Sequence, residues 1–263
     1  MQQTLSALIT GASSGIGAAL AHALAAPGAV LHLGGRDAGR LDAVAAACRA
    51  RGAEVWPQSL DVRDGAAMAE WIGGVGRLDL VIANAGISGG TGDGVAEPPA
   101  QVRAILAANL DGMLHTVLPA WAAMRGQAPA ADGVRGRIAV IASLAGFVAS
   151  AQAPTYCASK AAADTWTVAS APSARREGVM LTSVCPGFVR TPMTAGNRFR
   201  MPGLIDADVA ARRILRGIAA GRVRVAFPWW LALAAQVAGA LPPALLHAAG
   251  RRRPGKAGLP DGG

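Results

Sequence analysis

The sequence predicts a doubly wound α/β sheet of seven parallel strands in a single domain, with an extra apolar helical tail at the C-terminal end. Three observations predict it. Short apolar runs alternate with longer helix-period stretches to about residue 220. The runs are apolar at nearly every position, as strands covered by helices on both faces must be. A glycine turn follows the first run directly. With 263 residues, 52% hydrophobic and 16% charged, the chain is long and apolar enough to bury one substantial core.

The first strand covers residues 5–10, and the glycine turn after it leads into an Ala-rich helix. The second run, 30–33, ends in Leu33-Gly34-Gly35-Arg36; the third, 55–60, is followed by Asp61-Val62. The fourth, 78–83, runs straight into Asn84-Ala85-Gly86. Residues 137–142 and 179–184 supply the fifth and sixth strands, and a short run at 223–227 the last. This main domain is expected over 1–228. Residues 226–249 carry no charge and open with Trp229-Trp230, between Arg222 and Arg224 on one side and Arg251-Arg252-Arg253 on the other. Pro242-Pro243 divides that stretch and leaves too few residues for a spanning helix, which needs about 20. The extension 229–250 is therefore expected to be a buried helix or oligomer contact, with a peripheral membrane contact through Trp anchors as the alternative. The Gly, Pro and Arg content of 251–263 predicts a basic disordered tail.

Charge and cysteine content exclude several functions. The net charge of +9 arises wholly after residue 173, where 14 basic residues face 4 acidic ones. Of the 25 basic residues 23 are Arg, in short runs without interleaved aromatics, so a solvated basic face is expected and nucleic-acid binding is not. Cys48, Cys157 and Cys185 are odd in number and widely spaced, which predicts neither a disulfide framework nor a zinc site. The four histidines, His22, His32, His115 and His247, show no metal or triad spacing. A cytoplasmic location is expected, with no secretory signal before the first strand.

The turn Thr10-Gly11-Ala12-Ser13-Ser14-Gly15-Ile16-Gly17 has the makings of an anion site. Glycines let the backbone approach a pyrophosphate, and the helix start presents free N–H groups. Its spacing, Gly-x-x-x-Gly-x-Gly, differs from the commoner Gly-x-Gly-x-x-Gly. A dinucleotide fold places an acidic group at the end of the second strand to bind the ribose 2′-hydroxyl of NAD, whereas an Arg suits a 2′-phosphate. Gly35 has no carboxylate and Arg36 can pair with a phosphate, so NADP(H) is favoured over NAD(H); NAD gains if Asp37 faces the ribose instead. Asp61 and Val62 are placed to meet the adenine, and Asn84, Ala85 and Gly86 to lie beside the cofactor.

Tyr156 is the only tyrosine, and Lys160, four residues on, is one of two lysines. That spacing puts both on one helix face, where an ammonium would lower the phenol pKa and make it a general acid/base for an alcohol–carbonyl couple. An ordinary exposed helical pair is the competing reading. Ser143, after the fifth strand, can hold a substrate oxygen, and Asn109 can hold a water on a proton relay.

With these residues in place, the chain resembles a classical short-chain dehydrogenase/reductase over roughly residues 4–228. The turn 10–17 matches the family's Thr-Gly-x-x-x-Gly-x-Gly, and 84–86 its Asn-Ala-Gly. Asn109, Ser143, Tyr156 and Lys160 match its catalytic tetrad, and Pro186-Gly187 with Thr191, enclosing Val189, its Pro-Gly-x-x-x-Thr segment. The resemblance implies a Rossmann fold and hydride transfer between a nicotinamide and a ketone, aldehyde or secondary alcohol. It implies that Tyr156 moves the proton, Ser143 orients the oxygen, Lys160 tunes Tyr156 and binds the nicotinamide ribose, Asn109 supports the relay, and Thr191 touches the carboxamide. A small, hydrophobic carbonyl or alcohol substrate and a homo-oligomer are expected. The alternative is a catalytically silent dinucleotide-binding regulator or scaffold of the same fold.

Two expectations concern departures from the family pattern. Pro172 should kink or end the helix that carries Tyr156. Substrate choice should lie in 192–205, with Met193, Phe199, Met201, Leu204 and Ile205 apolar, Arg198 and Arg200 able to bind an acidic group, and Phe147, Val148 and Gln152 on the facing loop.

Overall fold

The computed structural model describes residues 5–92, 96–197, 199–242, 244 and 256–259. In chain order the elements are β1 Ser6–Thr10, α1 Gly15–Leu24, β2 Val30–Gly35, α2 Ala38–Arg49, β3 Glu54–Ser59, α3 Gly65–Gly73, β4 Leu80–Ala83 and α4 Pro99–Leu106. They continue with α5 Gly112–Arg125, β5 Gly136–Ile141, α6 Pro154–Arg176, β6 Val179–Pro186, β7 Val189–Arg190, α7 Pro192–Ala195, β8 Ile205–Asp206, α8 Ala207–Ala219, β9 Arg224–Phe227 and α9 Trp229–Gly239. A single π turn, Ala107–Asp111, joins α4 to α5, and a 3-10 turn, Leu144–Phe147, precedes α6.

Seven strands form one parallel sheet in the order β3-β2-β1-β4-β5-β6-β9, which is the doubly wound Rossmann-like arrangement the sequence predicts. The alternation of side chains explains why the strands read as unbroken apolar runs. In β1, Ala7 and Ile9 join a core with Leu20 of α1, Leu41 of α2 and Ile214 of α8, while Leu8 faces Met68 and Ile72 of α3 and Val117 of α5. In β5, Ala139 and Ile141 face the first core, and Ile138 and Val140 the second. Burial on both faces leaves room for a polar side chain only where it finds a partner, as Thr10 of β1 and Ser183 of β6 do. β3 is the exception that its place explains: it lies at the sheet edge, where Trp56 is exposed and Pro57 is tolerated.

The order reverses between β1 and β4, so the crevice at their C-terminal ends is the place where this fold opens a ligand site. Asp37 and Asp64 cap α2 and α3 by accepting from Arg40 N and Ala67 N. α1 has no such cap: Ser14 is its N-cap residue, but its side chain makes no capping bond.

Helix α6 does not end at Pro172, the stronger form of the expectation, but continues through it to Arg176. Pro172 lies on the exposed side of the helix, so the carbonyl one turn back that loses its N–H partner can turn to water. The short β7–β8 pair, Val189 with Ile205 and Arg190 with Asp206, was not expected from the sequence; it pins both ends of the segment 191–204.

α9 packs Leu231 and Ala232 against Leu144, beside the turn after Ser143, and exposes Trp229, Trp230, Leu233 and Val237. No helix among the described residues is long and apolar enough to cross a membrane. Most of the remaining extension and tail, 243 and 245–255 with 260–263, lies outside the described residues, but residues 256–259 lie against the body of the domain.

Asp164, buried in α6, ties the far edge of the sheet together. It accepts from Ser183 Oγ at 2.6 Å and from Arg224 Nη2 and Nε at 2.7 and 3.0 Å. Removing the guanidinium strands a buried carboxylate, so Arg224→Ala should lower unfolding free energy by about 3 kcal/mol. Urea denaturation checks this, and a loss below about 0.5 kcal/mol would show that water replaces Arg224 freely.

Candidate active site

A cleft of about 670 Å³ opens at the C-terminal ends of β1, β4 and β5. Its lining includes Gly11, Ser13, Ser14, Gly15, Ile16, Arg36, Asp61, Val62, Asn84, Ala85 and Gly86 along one side. Ser143, Tyr156, Lys160, Pro186, Gly187, Val189 and Thr191 complete it. Of the residues singled out in the sequence, Gly17 and Asn109 stand just behind this wall.

The glycine turn is shaped by close approach. Gly11 has φ +65°, and a Cβ there would stand 2.8 Å from Ala85 Cα. A Cβ on Gly17 would stand 2.2 Å from the Gly11 carbonyl oxygen, so the first turn of α1 fits beneath the loop only without a side chain. The loop is held from across the crevice. Thr10 Oγ1 accepts from Asn84 N (3.1 Å) and Ala85 N (3.2 Å), while Asn84 Nδ2 donates to the Thr10 and Gly11 carbonyls at 3.0 and 3.1 Å. Asn84 thus acts as a clasp between β1 and β4. The uncapped start of α1, with Gly11 and Gly15 lining the cleft, fits a pyrophosphate.

At the β2 end, Gly35 is buried and Arg36 is exposed at the cleft. Beside it, the Asp37 carboxylate accepts from Arg40 N at 2.9 Å and Arg40 Nε at 2.7 Å, which holds it below the usual carboxylate range. Asp61 is likewise paired, with Arg63 at 2.7 Å, and its carboxyl is held low by that bond. Arg40 and Arg63 line the same mouth and were missed in the sequence. The available signal was the spacing of four between Arg36 and Arg40.

On the catalytic side, α6 carries Tyr156 and Lys160 on one face. Lys160 is buried and its Nζ donates to the Ile141 carbonyl at 2.7 Å, 5.9 Å from the centre of the Tyr156 ring. Burial pulls the ammonium down from 10.5 to about 8. The phenol moves the opposite way to the expectation: burial pushes the Tyr156 pKa up, and the Ser143 hydroxyl only partly offsets this. Burial is the cause, and Lys160, which gives one of its donors to the β5 carbonyl, stands beside the ring at 5.9 Å from its centre. Ser143 is fixed by accepting from Ala145 N at 3.1 Å.

Asn109 sits in the π turn, whose extra residue rotates the amide toward the β4 end. Its Oδ1 accepts from Ile87 N at 2.8 Å, and its Nδ2 donates to the Ile87 carbonyl at 2.9 Å and to Ser159 Oγ at 3.0 Å. These bonds make Asn109 a brace between the 84–87 loop and α6, behind the wall.

In the expected substrate region, Met193 lines the cleft and Phe199 packs edge-on against Phe188, with ring centres 5.9 Å apart. Phe147 lies under the Arg224 guanidinium at 5.5 Å, and Arg200 is exposed. Arg198 lies outside the described residues.

Comparison with known proteins agrees with this architecture. The family model for short chain dehydrogenase matches residues 6–201. An uncharacterized oxidoreductase of Myxococcus xanthus is 38% identical over 253 residues, covering 94% of this chain and 96% of that one. A putative ketoacyl reductase of the monensin polyketide synthase from Streptomyces virginiae is 37% identical over 193 residues, 71% of each chain. Among solved structures, a short chain dehydrogenase from Burkholderia cenocepacia in complex with NADP superposes with a TM-score of 0.78 at 27% identity, covering 96% of this chain and 100% of that one.

The desolvated Lys160 sets a pH dependence of stability. Its folded pKa of about 8 lies below the ordinary 10.5, so between these values the unfolded chain binds more protons and stability rises with pH. Lys160→Met removes this term. The variant should therefore melt above the parent at about pH 7, and the gap should narrow as pH rises from about 8 toward 10. A gap that stays constant across that window, measured by thermal unfolding, would refute the assignment.

Proposed function

The chain belongs to the short-chain dehydrogenase family, and from that premise we propose that it is an NADP-dependent oxidoreductase interconverting a ketone or aldehyde and a secondary alcohol. The observation that carries the reading is the placement of Ser143, Tyr156 and Lys160 in the same cleft as the glycine turn and Arg36. When bound, the nicotinamide supplies or accepts the hydride.

The chain's own residues do the rest. Tyr156 and Ser143 are two hydroxyl donors that meet at one point, where they can hold a carbonyl oxygen. As that oxygen gains negative charge the Tyr156 proton moves onto it, and Ser143 keeps its hydrogen bond. Burial keeps the phenol protonated at neutral pH, which suits the proton donor of a reduction. Lys160 contributes its charge beside Tyr156 and can reach a ribose hydroxyl, while Asn109 braces the loop and helix that hold both. Thr191, which lines the cleft and donates its backbone N–H to Thr194 Oγ1 at 3.1 Å, would hold the carboxamide.

The preference for NADP(H) rests on the β2 end. Gly35 offers no carboxylate, and Asp37 is committed to Arg40. Arg36 is therefore the group at that corner with no ion-pair partner among the described residues, as a 2′-phosphate requires. The NADP-bound relative from Burkholderia cenocepacia supports the same choice. Apolar Ile87 and Met193 at the catalytic end fit a substrate with an apolar body.

Fluorescence titration with NADPH and NADH tests the cofactor assignment. The parent should prefer NADPH, and Arg36→Ala should reduce that preference by about tenfold or more. Equal weakening of both cofactors would remove Arg36 from phosphate binding. Tyr156→Phe should lower NADPH-dependent ketone turnover by about 10²-fold or more with cofactor affinity kept. Undiminished turnover in that variant would take Tyr156 out of the chemistry.

A further inference from the structure

The chain uses arginine for nearly every cation, with 23 Arg against only Lys160 and Lys256. Both lysines stand beside Tyr156: the ammonium of Lys160 is 5.9 Å from the ring centre and that of Lys256 is 4.8 Å away. The second arrives from the C-terminal segment, almost 100 residues further along the sequence.

Residues 256–259 are laid onto the domain by backbone bonds. Gly90 N donates to the Ala257 carbonyl at 2.9 Å, and Gly92 N to the Lys256 carbonyl at 2.8 Å. Buried Gln101 completes the attachment, accepting from Leu259 N at 2.7 Å and donating to the Gly90 carbonyl at 3.0 Å. The fit leaves no space at Gly90, where a Cβ would stand 2.6 Å from Lys256 Cβ. Lys256 is thereby delivered to the end of the loop that begins at Asn84, and its Nζ donates to Ser88 Oγ.

That ammonium is poorly compensated. It is half-buried, burial lowers its pKa, and among the described residues its one hydrogen-bond acceptor is the neutral Ser88 hydroxyl. The Glu97 carboxylate accepts from the Thr155 N–H and hydroxyl through Oε2, while its buried Oε1 has no partner among the described residues and makes no bond to Lys256. Cys157 is a thiol kept protonated by burial. A half-buried cation whose acceptor is neutral is a ready partner for an anion. A single ammonium and one hydroxyl match a carboxylate, whereas a phosphate dianion calls for more than one cation.

We propose that Lys256 is a specificity-determining residue whose ammonium receives the carboxylate of the substrate, so that the substrates are keto acids and the corresponding hydroxy acids. The inference rests on the oxidoreductase reading above. The carboxylate would lie against Lys256 and Ser88 while the carbonyl points to Tyr156 and Ser143, a span set by the 4.8 Å between the Lys256 ammonium and the Tyr156 ring centre.

The test separates this assignment from the oxidoreductase reading. NADPH titration is run first, and its failure would count against that reading alone. Calorimetry then measures 4-oxopentanoate and its methyl ester binding to the full-length protein with NADP⁺ present, a redox state that cannot reduce either ketone, or to the protein alone if no cofactor binds. The acid should bind at least about tenfold more tightly than the ester. That preference should vanish in Lys256→Ala and in Lys256→Met and survive within about threefold in Lys256→Arg. Equal affinities in the parent, no binding of either ligand, or a preference that persists in Lys256→Ala would each overturn the proposal. Tighter binding of both ligands after removal of residues 256–263 would overturn it too, since the segment would then be an obstruction.

Discussion

The working parts of this molecule depend on the clasp between Thr10 and Asn84. At the point where strand order reverses, two parallel strands diverge and their last backbone groups have lost their ladder partners. Thr10 Oγ1 takes the Asn84 and Ala85 N–H groups, and the Asn84 amide returns two bonds to the Thr10 and Gly11 carbonyls. Four bonds fix the crevice width while leaving the N–H groups at the start of α1 free. A side chain at Gly11 or Gly17 would press into this clasp, which is why glycine is required at both positions. The glycine turn and the Asn-Ala-Gly strand end are therefore one device contributed by two distant stretches of sequence.

The catalytic wall is organised from behind by the same kind of bracing. The π turn carries Asn109 to Ile87 and Ser159, joining the loop beyond the clasp to the helix of Tyr156 and Lys160. Lys160 is tied to β5 through the Ile141 carbonyl, two residues before Ser143. Hydroxyl donor, phenol and ammonium are thus held relative to one another by bonds that reacting atoms do not disturb, which is the condition for electrostatic stabilisation without reorganisation. The cost is visible in Lys160, whose charge is disfavoured by the burial that holds it in place.

The sheet was legible in the sequence for a physical reason: strands such as β4 and β5, buried on both faces, admit almost nothing but apolar residues, and the glycine turn and Asn-Ala-Gly mark two of their ends. Tyr156, Lys160 and Ser143 were legible because short helical and strand-end spacings survive folding as neighbours. Other features depend on tertiary placement and left no local trace. The position of Pro172 on the exposed face of α6 and the role of Asn109 as a brace are of this kind, whereas the capture of Asp37 by Arg40 is a local contact three residues apart that the sequence could have shown. Lys256 depends on tertiary placement too: composition marked it as one of two lysines, but only folding brings a residue of the tail to Tyr156.

The placement of charge along the cleft connects these observations. At the β2 end, the two acidic residues of the mouth are paired, Asp37 with Arg40 and Asp61 with Arg63, which leaves Arg36 as uncompensated positive charge. At the other end Lys160 lines the cleft and Lys256 stands beside the Tyr156 ring, neither with a carboxylate partner among the described residues. Between them lies the uncapped start of α1, itself positive. A surface excess of arginine spread over α8 and the C-terminal third would give the same net charge without this pattern, and it would be screened by salt within about 8–10 Å. Charges inside a walled cleft are screened far less. On the proposed reading, the local field would favour ligands that bring negative charge to both ends and develop it in the middle, at the oxygen facing Tyr156 and Ser143. A neutral ketone would use only the middle of that field, whereas a keto acid would use both the middle and the end at Lys256.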